Sequence, residues 1–219
     1  MALWLKKTLE NYAHLGLWKI EEAEEFFLQR LDLQSVESDE LAPIKGRRRL
    51  EWLASRYLVH EMLLDHGSED RIPVLKDGHG KPHIWGSPFH LSFSHSHEFV
   101  AVLLAEVPTG IDVQHFVSKI GMLAPRFMRP EELASLQEPS RLEHLHFYWG
   151  AKEALYKAYG RRQVDFRQHL LVEPFDFQFA GKTTAVIRKE DFVGTYDVWF
   201  EKREDYFLVY CLERSVRAA

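Results

Sequence analysis

Apolar residues recur at helical spacing in a long segment that begins near Ile44 and ends near Gly67. Its apolar positions are Leu50, Leu53, Tyr57, Leu58, Met62 and Leu64. Spacings of three and four residues place such side chains on one face of an α-helix. The segment therefore predicts a long amphipathic helix. Its entrance carries a basic cluster formed by Lys45, Arg47, Arg48 and Arg49.

A second long helix is predicted from Glu143 to Tyr159. One face carries four apolar or aromatic residues, Tyr148, Ala151, Leu155 and Ala158, and another carries Trp149, Glu153 and Lys157. Gly160 is a natural stop, since glycine readily adopts the left-handed conformation found at helix ends. Pro130, which is followed by two glutamates, predicts the start of a shorter helix.

Short apolar or alternating runs predict strands in both halves of the chain. In the first half these are residues 15–20 and a hairpin made of HLSFS and FVAVLLAEV, with a histidine loop at its tip. Residues 111–113 form another short strand, and FDFQF, TTAVIR, TYDVWF and DYFLVYCL predict an antiparallel meander. The acidic EEAEEFF run predicts a helix, and the polar segment from Asp32 to Pro43 predicts a loop. Together these elements favour an α+β fold.

Composition narrows the class of protein. The chain has 219 residues with 46% hydrophobic and 28% charged content, which is typical of a soluble protein with a sizeable core. A net charge of -5 argues against a general nucleic-acid or membrane-surface binder. Cys211 is the only cysteine, so no internal disulfide is expected and a reducing, cytoplasmic setting fits. We find no signal peptide and no run of membrane-spanning length.

Two acidic residues are the first candidates for chemistry. Asp112 ends a short predicted strand and Glu153 lies on a predicted helix face. Taken singly, each is more often a solvated or capping carboxylate. Glu153 shares its face with Lys157 one turn later, which is consistent with a plain ion pair or with a ligand beside a base.

Four segments in order resemble the 4'-phosphopantetheinyl transferases, specifically the surfactin-synthetase-activating type. They are the basic stretch KGRRRLEWLASR at 45–56, GKP at 80–82 with SFSHS at 92–96, GIDVQ at 110–114, and WGAKEALYK at 149–157. Each motif alone is weak, but their order and separation are specific. The resemblance spans about residue 15 to residue 160.

The resemblance implies an architecture and a reaction. Two similar α+β halves, residues 1–109 and 110–219, would be related by a pseudo-twofold axis, with coenzyme A in the cleft between them. The 4'-phosphopantetheine group of coenzyme A would pass to a serine of an apo acyl or peptidyl carrier protein, releasing 3',5'-ADP. A monomer is implied, because both halves belong to one chain.

The resemblance also implies which residues hold magnesium. Asp112 and Glu153 match the family's Mg2+ ligands, and hard carboxylate oxygens suit this ion. The position two after the first acid is usually glutamate in the family and is Gln114 here. Its amide oxygen would coordinate Mg2+ more weakly or orient a bound water, so looser metal binding is expected.

The remaining site residues match the family's contacts to coenzyme A. These are Arg49, Arg56, Lys81, Ser94, His95 and Lys152. Lys152 and Lys157 would neutralise charge on the transferring phosphate, and Glu153 or Lys157 would be the general base. For Lys45, Arg47 and Arg48 a solvated position is the preferred interpretation.

Three other functions compete with this hypothesis. An inactive relative could retain coenzyme A or carrier-protein binding, and Gln114 is its best support. A zinc hydrolase could use His95 and His97, but no third ligand stands at a recognisable spacing. A purely structural protein would leave the phosphate-binding residues unexplained.

Overall fold

The secondary structure of the computed structural model falls into two units, Met1–Glu106 and Val107–Ala219. The structure describes residues 3–9, 13–68 and 70–214. Each unit combines helices with an antiparallel sheet, so the predicted α+β class is confirmed.

The first unit is built on a four-stranded antiparallel sheet. Its strands are β1 (Leu3–Thr8), β2 (His14–Lys19), β5 (His90–Ser96) and β6 (Phe99–Ala105), in the order β1-β2-β6-β5. The helices are α1 (Glu24–Leu28), α2 (Ser35–Leu41) and α3 (Arg47–Leu64), and β3 (Val74–Lys76) pairs with β4 (Pro82–Ile84). The amphipathic α3 packs on β2 and β6 and buries its apolar face there, which removes that face from water.

The second unit is built on a five-stranded antiparallel sheet in the order β7-β11-β10-β9-β8. The strands are β7 (Thr109–His115), β8 (Leu170–Val172), β9 (Ala180–Lys189), β10 (Phe192–Arg203) and β11 (Tyr206–Glu213). The helices are α4 (Ile120–Phe127), α5 (Pro130–Ala134) and α6 (Arg141–Tyr159). The long α6 packs on β7 and β11, and its apolar residues form the core with the sheet.

Most elements predicted from the pattern are present. The hairpin is β5 with β6, and the last three strands of the predicted meander are β9, β10 and β11. Helix α6 ends where expected, with Gly160 in the left-handed conformation at φ 67°. In the described residues, no helix is long and apolar enough to cross a membrane.

Two predictions about local structure were wrong. The segment from Asp32 to Pro43 contains α2, which Gln34 and Glu37 begin with a reciprocal pair of side-chain to backbone hydrogen bonds. The FDFQF run at 175–179 is not a strand. Its alternating Phe175 and Phe177 pack against the core from an irregular segment, which produces the same period as a strand.

The contact between α6 and β7 depends on Gly110. A β-carbon at this position would overlap the backbone carbonyl of Ala154 and come within 2.9 Å of the Ala158 nitrogen. Helix and strand therefore meet at a distance that only glycine allows.

We expect Gly110→Ala to lower the free energy of unfolding by about 3 kcal/mol or more, because the overlap is with backbone that cannot rotate away. Urea denaturation of the purified protein measures the loss. Gly78→Ala is the matched control, since a β-carbon at Gly78 meets nothing within 4 Å. Equal stability of the two variants would contradict the close approach.

Candidate active site

Helix α6 and strand β7 bring together three of the predicted residues. The Lys157 ammonium donates to Asp112 Oδ1 at 2.8 Å and to the Ile111 carbonyl at 2.9 Å. Asp112 is only 7% exposed. Burial, followed by the negative charge of Asp112, raises the pKa of Glu153 to about 7, and Lys157 opposes this shift. The site therefore holds two carboxyl groups that influence each other and one cation.

Alternation along β7 explains this geometry. Gly110, Asp112 and Gln114 are two residues apart and share one face of the strand. The facing residues of α6 are spaced three and four apart, as one helical stripe requires: His146, Gly150, Glu153, Ala154, Lys157 and Ala158. Small residues at 110, 154 and 158 let the helix approach, so the charged residues between them meet the strand.

A cationic pocket of about 420 Å³ lies within the first unit. Two predicted coenzyme A contacts, Arg56 and His95, line it. Three more cations line the same pocket, namely Lys45, Arg48 and Lys76. Lys45 and Arg48 are exposed, as the interpretation of solvated positions expects, and both also line this pocket. Lys76 was missed, since it stands in a short strand outside every motif.

Arg56 is the most deeply buried cation of the pocket, at 2% exposure. Its guanidinium lies 3.9 Å from the centre of the Trp52 ring and 3.5 Å from Glu40 Oε1. Burial lowers the pKa of Arg56 to about 10, so it remains charged at neutral pH. Within the described residues its Nε has no hydrogen-bond partner, which leaves one donor of a buried cation available for an anion.

Three other predicted contacts do not line this pocket. Arg49 is paired with Glu24 at 2.8 Å and with the Leu41 carbonyl at 2.9 Å. Ser94 is buried in β5, and Lys81 precedes β4. Their contacts with coenzyme A stay predictions.

His95 faces an acid in the same pocket. Its Nδ1 lies 3.0 Å from Glu51 Oε2, while Arg47 donates to the His97 carbonyl. Among residues 3–9, 13–68 and 70–214, no group of three or more histidine, cysteine or acidic side chains is placed to hold a metal ion.

Comparison with known proteins addresses the second unit most directly. Residues 108–211 match the model of the 4'-phosphopantetheinyl transferase superfamily. The match covers a little under half of the chain and agrees with the resemblance found in the sequence.

Three curated relatives carry the same name. The chain is 30% identical over 110 residues to 4'-phosphopantetheinyl transferase psf-1 of Bacillus pumilus, which covers 48% of this chain and 46% of the relative. It is 26% identical over 142 residues to the 4'-phosphopantetheinyl transferase of Bacillus subtilis, covering 61% and 59%. It is 29% identical over 115 residues to 4'-phosphopantetheinyl transferase gsp of Aneurinibacillus migulanus, covering 51% and 46%. The chain thus matches about half the length of these relatives.

Lys152 occupies a different environment from the other predicted contacts. It is fully buried, and its ammonium lies 2.9 Å from Glu132 Oε2. It also donates to the carbonyls of Phe166 at 3.0 Å and Leu170 at 2.7 Å. These contacts tie α6 to α5, to the segment before β8 and to the first residue of β8. They favour a structural role, and a contact with coenzyme A stays a prediction.

Gln114 also has protein partners. Its amide is hydrogen-bonded at both ends to His146 of α6, with Nε2 3.1 Å from the carbonyl and Oε1 3.0 Å from the ring. To act at the metal as predicted, the Gln114 amide would have to exchange these hydrogen bonds for contacts with the ion or its water.

The raised pKa of Glu153 predicts a distinct dependence of stability on pH. Because the folded-state pKa lies above the unfolded value, the folded state binds the proton more tightly and stability falls as pH rises from about 4.5 to 7. We expect Glu153→Gln to remove this loss. Without divalent ions, its free energy of unfolding at pH 8 should exceed that of wild type by about 1 to 3 kcal/mol. The difference should vanish near pH 4.5.

Denaturant titrations across this pH range measure the effect. The exposed Glu131 provides the control, since its side chain lies at the surface and Glu131→Gln should change the free energy of unfolding little. A Glu153→Gln curve parallel to wild type would show that Glu153 has an ordinary acidity.

We expect Lys152→Met to cost about 3 kcal/mol, because it leaves the buried Glu132 without this cation. The double variant Glu132→Gln/Lys152→Met should cost less than the sum of the single variants. Lys7→Met, at an exposed position, is the control. A variant that keeps its stability but binds coenzyme A much more weakly would assign Lys152 to the ligand instead.

Proposed function

We propose that this chain transfers the 4'-phosphopantetheine group of coenzyme A to a serine of an apo acyl or peptidyl carrier protein, releasing 3',5'-ADP. The observation that carries the proposal is the cluster of Asp112, Glu153 and Lys157. It lies inside the stretch that matches the superfamily, on two elements held together at Gly110.

Asp112 and Glu153 fit a magnesium ion. Both are largely buried carboxyl groups, and burial, followed by the negative charge of Asp112, raises the pKa of Glu153 to about 7. Mg2+ commonly takes one or two carboxylates, with phosphate oxygens and water completing its shell. When bound, the ion would neutralise charge on the diphosphate.

The reaction needs a base as well as positive charge. The serine oxygen forms a bond to the β-phosphorus of coenzyme A, the bond from that phosphorus to the bridging oxygen breaks, and 3',5'-ADP leaves with the bonding electrons. The serine proton passes to the base. Glu153 would take this role, directly or through a water, since it stands beside Asp112 and Lys157 and burial raises its pKa in the metal-free site. Lys157 donates to Asp112 Oδ1 at 2.8 Å and would supply positive charge instead.

The pocket of the first unit is suited to the phosphates of coenzyme A. Arg56 offers a buried donor, and Lys45, Arg48 and Lys76 add charge. The family resemblance also predicts coenzyme A between two pseudo-symmetric halves, a monomeric enzyme and a cytoplasmic location. Those three points stay predictions.

The decisive experiment mixes the protein with coenzyme A, Mg2+ and several apo carrier proteins. We expect the intact mass of at least one carrier to rise by one phosphopantetheine group. Asp112→Asn should slow this transfer at least about 100-fold, since it removes a carboxylate from the charge cluster. Asp191→Asn, in an exposed turn, should leave the rate unchanged.

The same experiment separates the alternatives. Binding of coenzyme A without transfer to any carrier protein would favour an inactive relative. Absence of both binding and transfer would reject the proposal.

A further inference from the structure

The amide of Gln114 is bonded at both ends by a single residue. Gln114 Nε2 donates to the His146 backbone carbonyl at 3.1 Å, and Gln114 Oε1 lies 3.0 Å from His146 Nδ1. One residue belongs to β7 and the other to α6. The pair therefore bridges the two elements that carry Asp112 and Glu153.

A third contact fixes the direction of the bond to the ring. The Val117 backbone N–H donates to His146 Nε2 at 2.9 Å, so Nε2 carries no proton. In a neutral imidazole Nδ1 then carries the proton and donates it to Gln114 Oε1. Burial lowers the pKa of His146 to about 4, which keeps the ring neutral. Each nitrogen of the ring and each end of the amide thus has a matched partner.

Packing leaves the pair little freedom. The His146 ring is fully buried and stacks on Phe207 with centroids 4.4 Å apart and planes 8° apart. On the next turn of α6, a β-carbon at Gly150 would lie 2.9 Å from Gln114 Nε2 and 2.6 Å from a Val209 methyl. The amide therefore rests directly against the helix, in a space that glycine provides.

We propose that Gln114 is a positioning residue and not a metal ligand: its pairing with His146 sets α6 against β7, and Asp112 and Glu153 form a two-carboxylate magnesium site. The inference rests on the proposed function for the identity of the metal. It replaces the expectation from the sequence that Gln114 coordinates Mg2+ or orients a bound water.

The energetic argument favours the pairing. To reach a metal ion, Gln114 would give up two hydrogen bonds to the buried His146, and each buried group left unsatisfied costs about 1 to 3 kcal/mol. An amide oxygen brings no charge with which to offset that loss.

The pairing makes a specific prediction for a carboxylate at position 114. In Gln114→Glu one oxygen can still accept from His146 Nδ1, but the other would face the His146 carbonyl with no proton between them. Replacing His146 by phenylalanine keeps an aromatic ring on Phe207 and removes this partner. A glutamate at 114 then becomes available to the metal beside Asp112, since both lie on the same face of β7.

Binding of Mn2+ tests the proposal without turnover. Free Mn2+ is measured by electron paramagnetic resonance, with coenzyme A present and no carrier protein. We expect the Mn2+ affinity of Gln114→Glu to lie within about twofold of wild type or below it. The double variant Gln114→Glu/His146→Phe should bind Mn2+ at least about fivefold more tightly than His146→Phe. A gain of that size in Gln114→Glu alone would overturn the proposal. So would the absence of a gain in the double variant.

A measurement on the wild type covers the case in which variants fail to fold. Nitrogen chemical shifts of the His146 ring should show a protonated Nδ1 and an unprotonated Nε2 at neutral pH, with and without Mg2+ and coenzyme A. The opposite tautomer, or a change of tautomer when Mg2+ is added, would overturn the pairing. Failure of the proposed function would be recognised separately, because wild type would then hold Mn2+ no better than Asp112→Asn.

Discussion

Helix α6 lies against β7 so closely that the strand presents backbone, not a side chain, at position 110. This contact involves Ala154 and Ala158, which flank the charged positions of the helix. When these two alanines pack against the strand, the helical period places Lys157 beside Asp112. The geometry of the candidate site is thus set by the small residues around the acids. Repulsion between the two carboxylates opposes this arrangement, so the acids themselves do not stabilise it.

The buried charges around α6 fall into two kinds. Lys152 and Glu132 satisfy each other and several backbone groups, so this pair fastens the helix to its neighbours. Burial, followed by the negative charge of Asp112, raises the pKa of Glu153, which costs stability at neutral pH. Strongly shifted acids of this kind are concentrated at functional sites. Under the proposed function, the neighbouring helix positions 152 and 153 would serve anchoring and chemistry respectively.

The sequence predicted the helices and strands that show a periodic pattern of apolar and polar positions. Glu153 and Lys157 share a helix face because they are four residues apart, and that inference needs no tertiary information. Lys152 is different. It points about 100° away from Glu153 around the helix, and its acid partner Glu132 stands twenty residues earlier in another helix. Packing between elements decides which acid a buried cation contacts. The sequence motif that contains Lys152 and Glu153 therefore does not reveal that their roles differ.

Net charge gives an incomplete picture of what the protein can bind. The value of -5 argues against a general binder of polyanions, yet five cationic or titratable basic side chains line one pocket of the first unit. Arg56 remains charged there because Trp52 and Glu40 offset part of the cost of its burial. The second unit concentrates acids where a metal ion would be held. The proposed function would need both kinds of group: cations to bind the phosphates of coenzyme A, and carboxylates to hold the ion that neutralises its diphosphate.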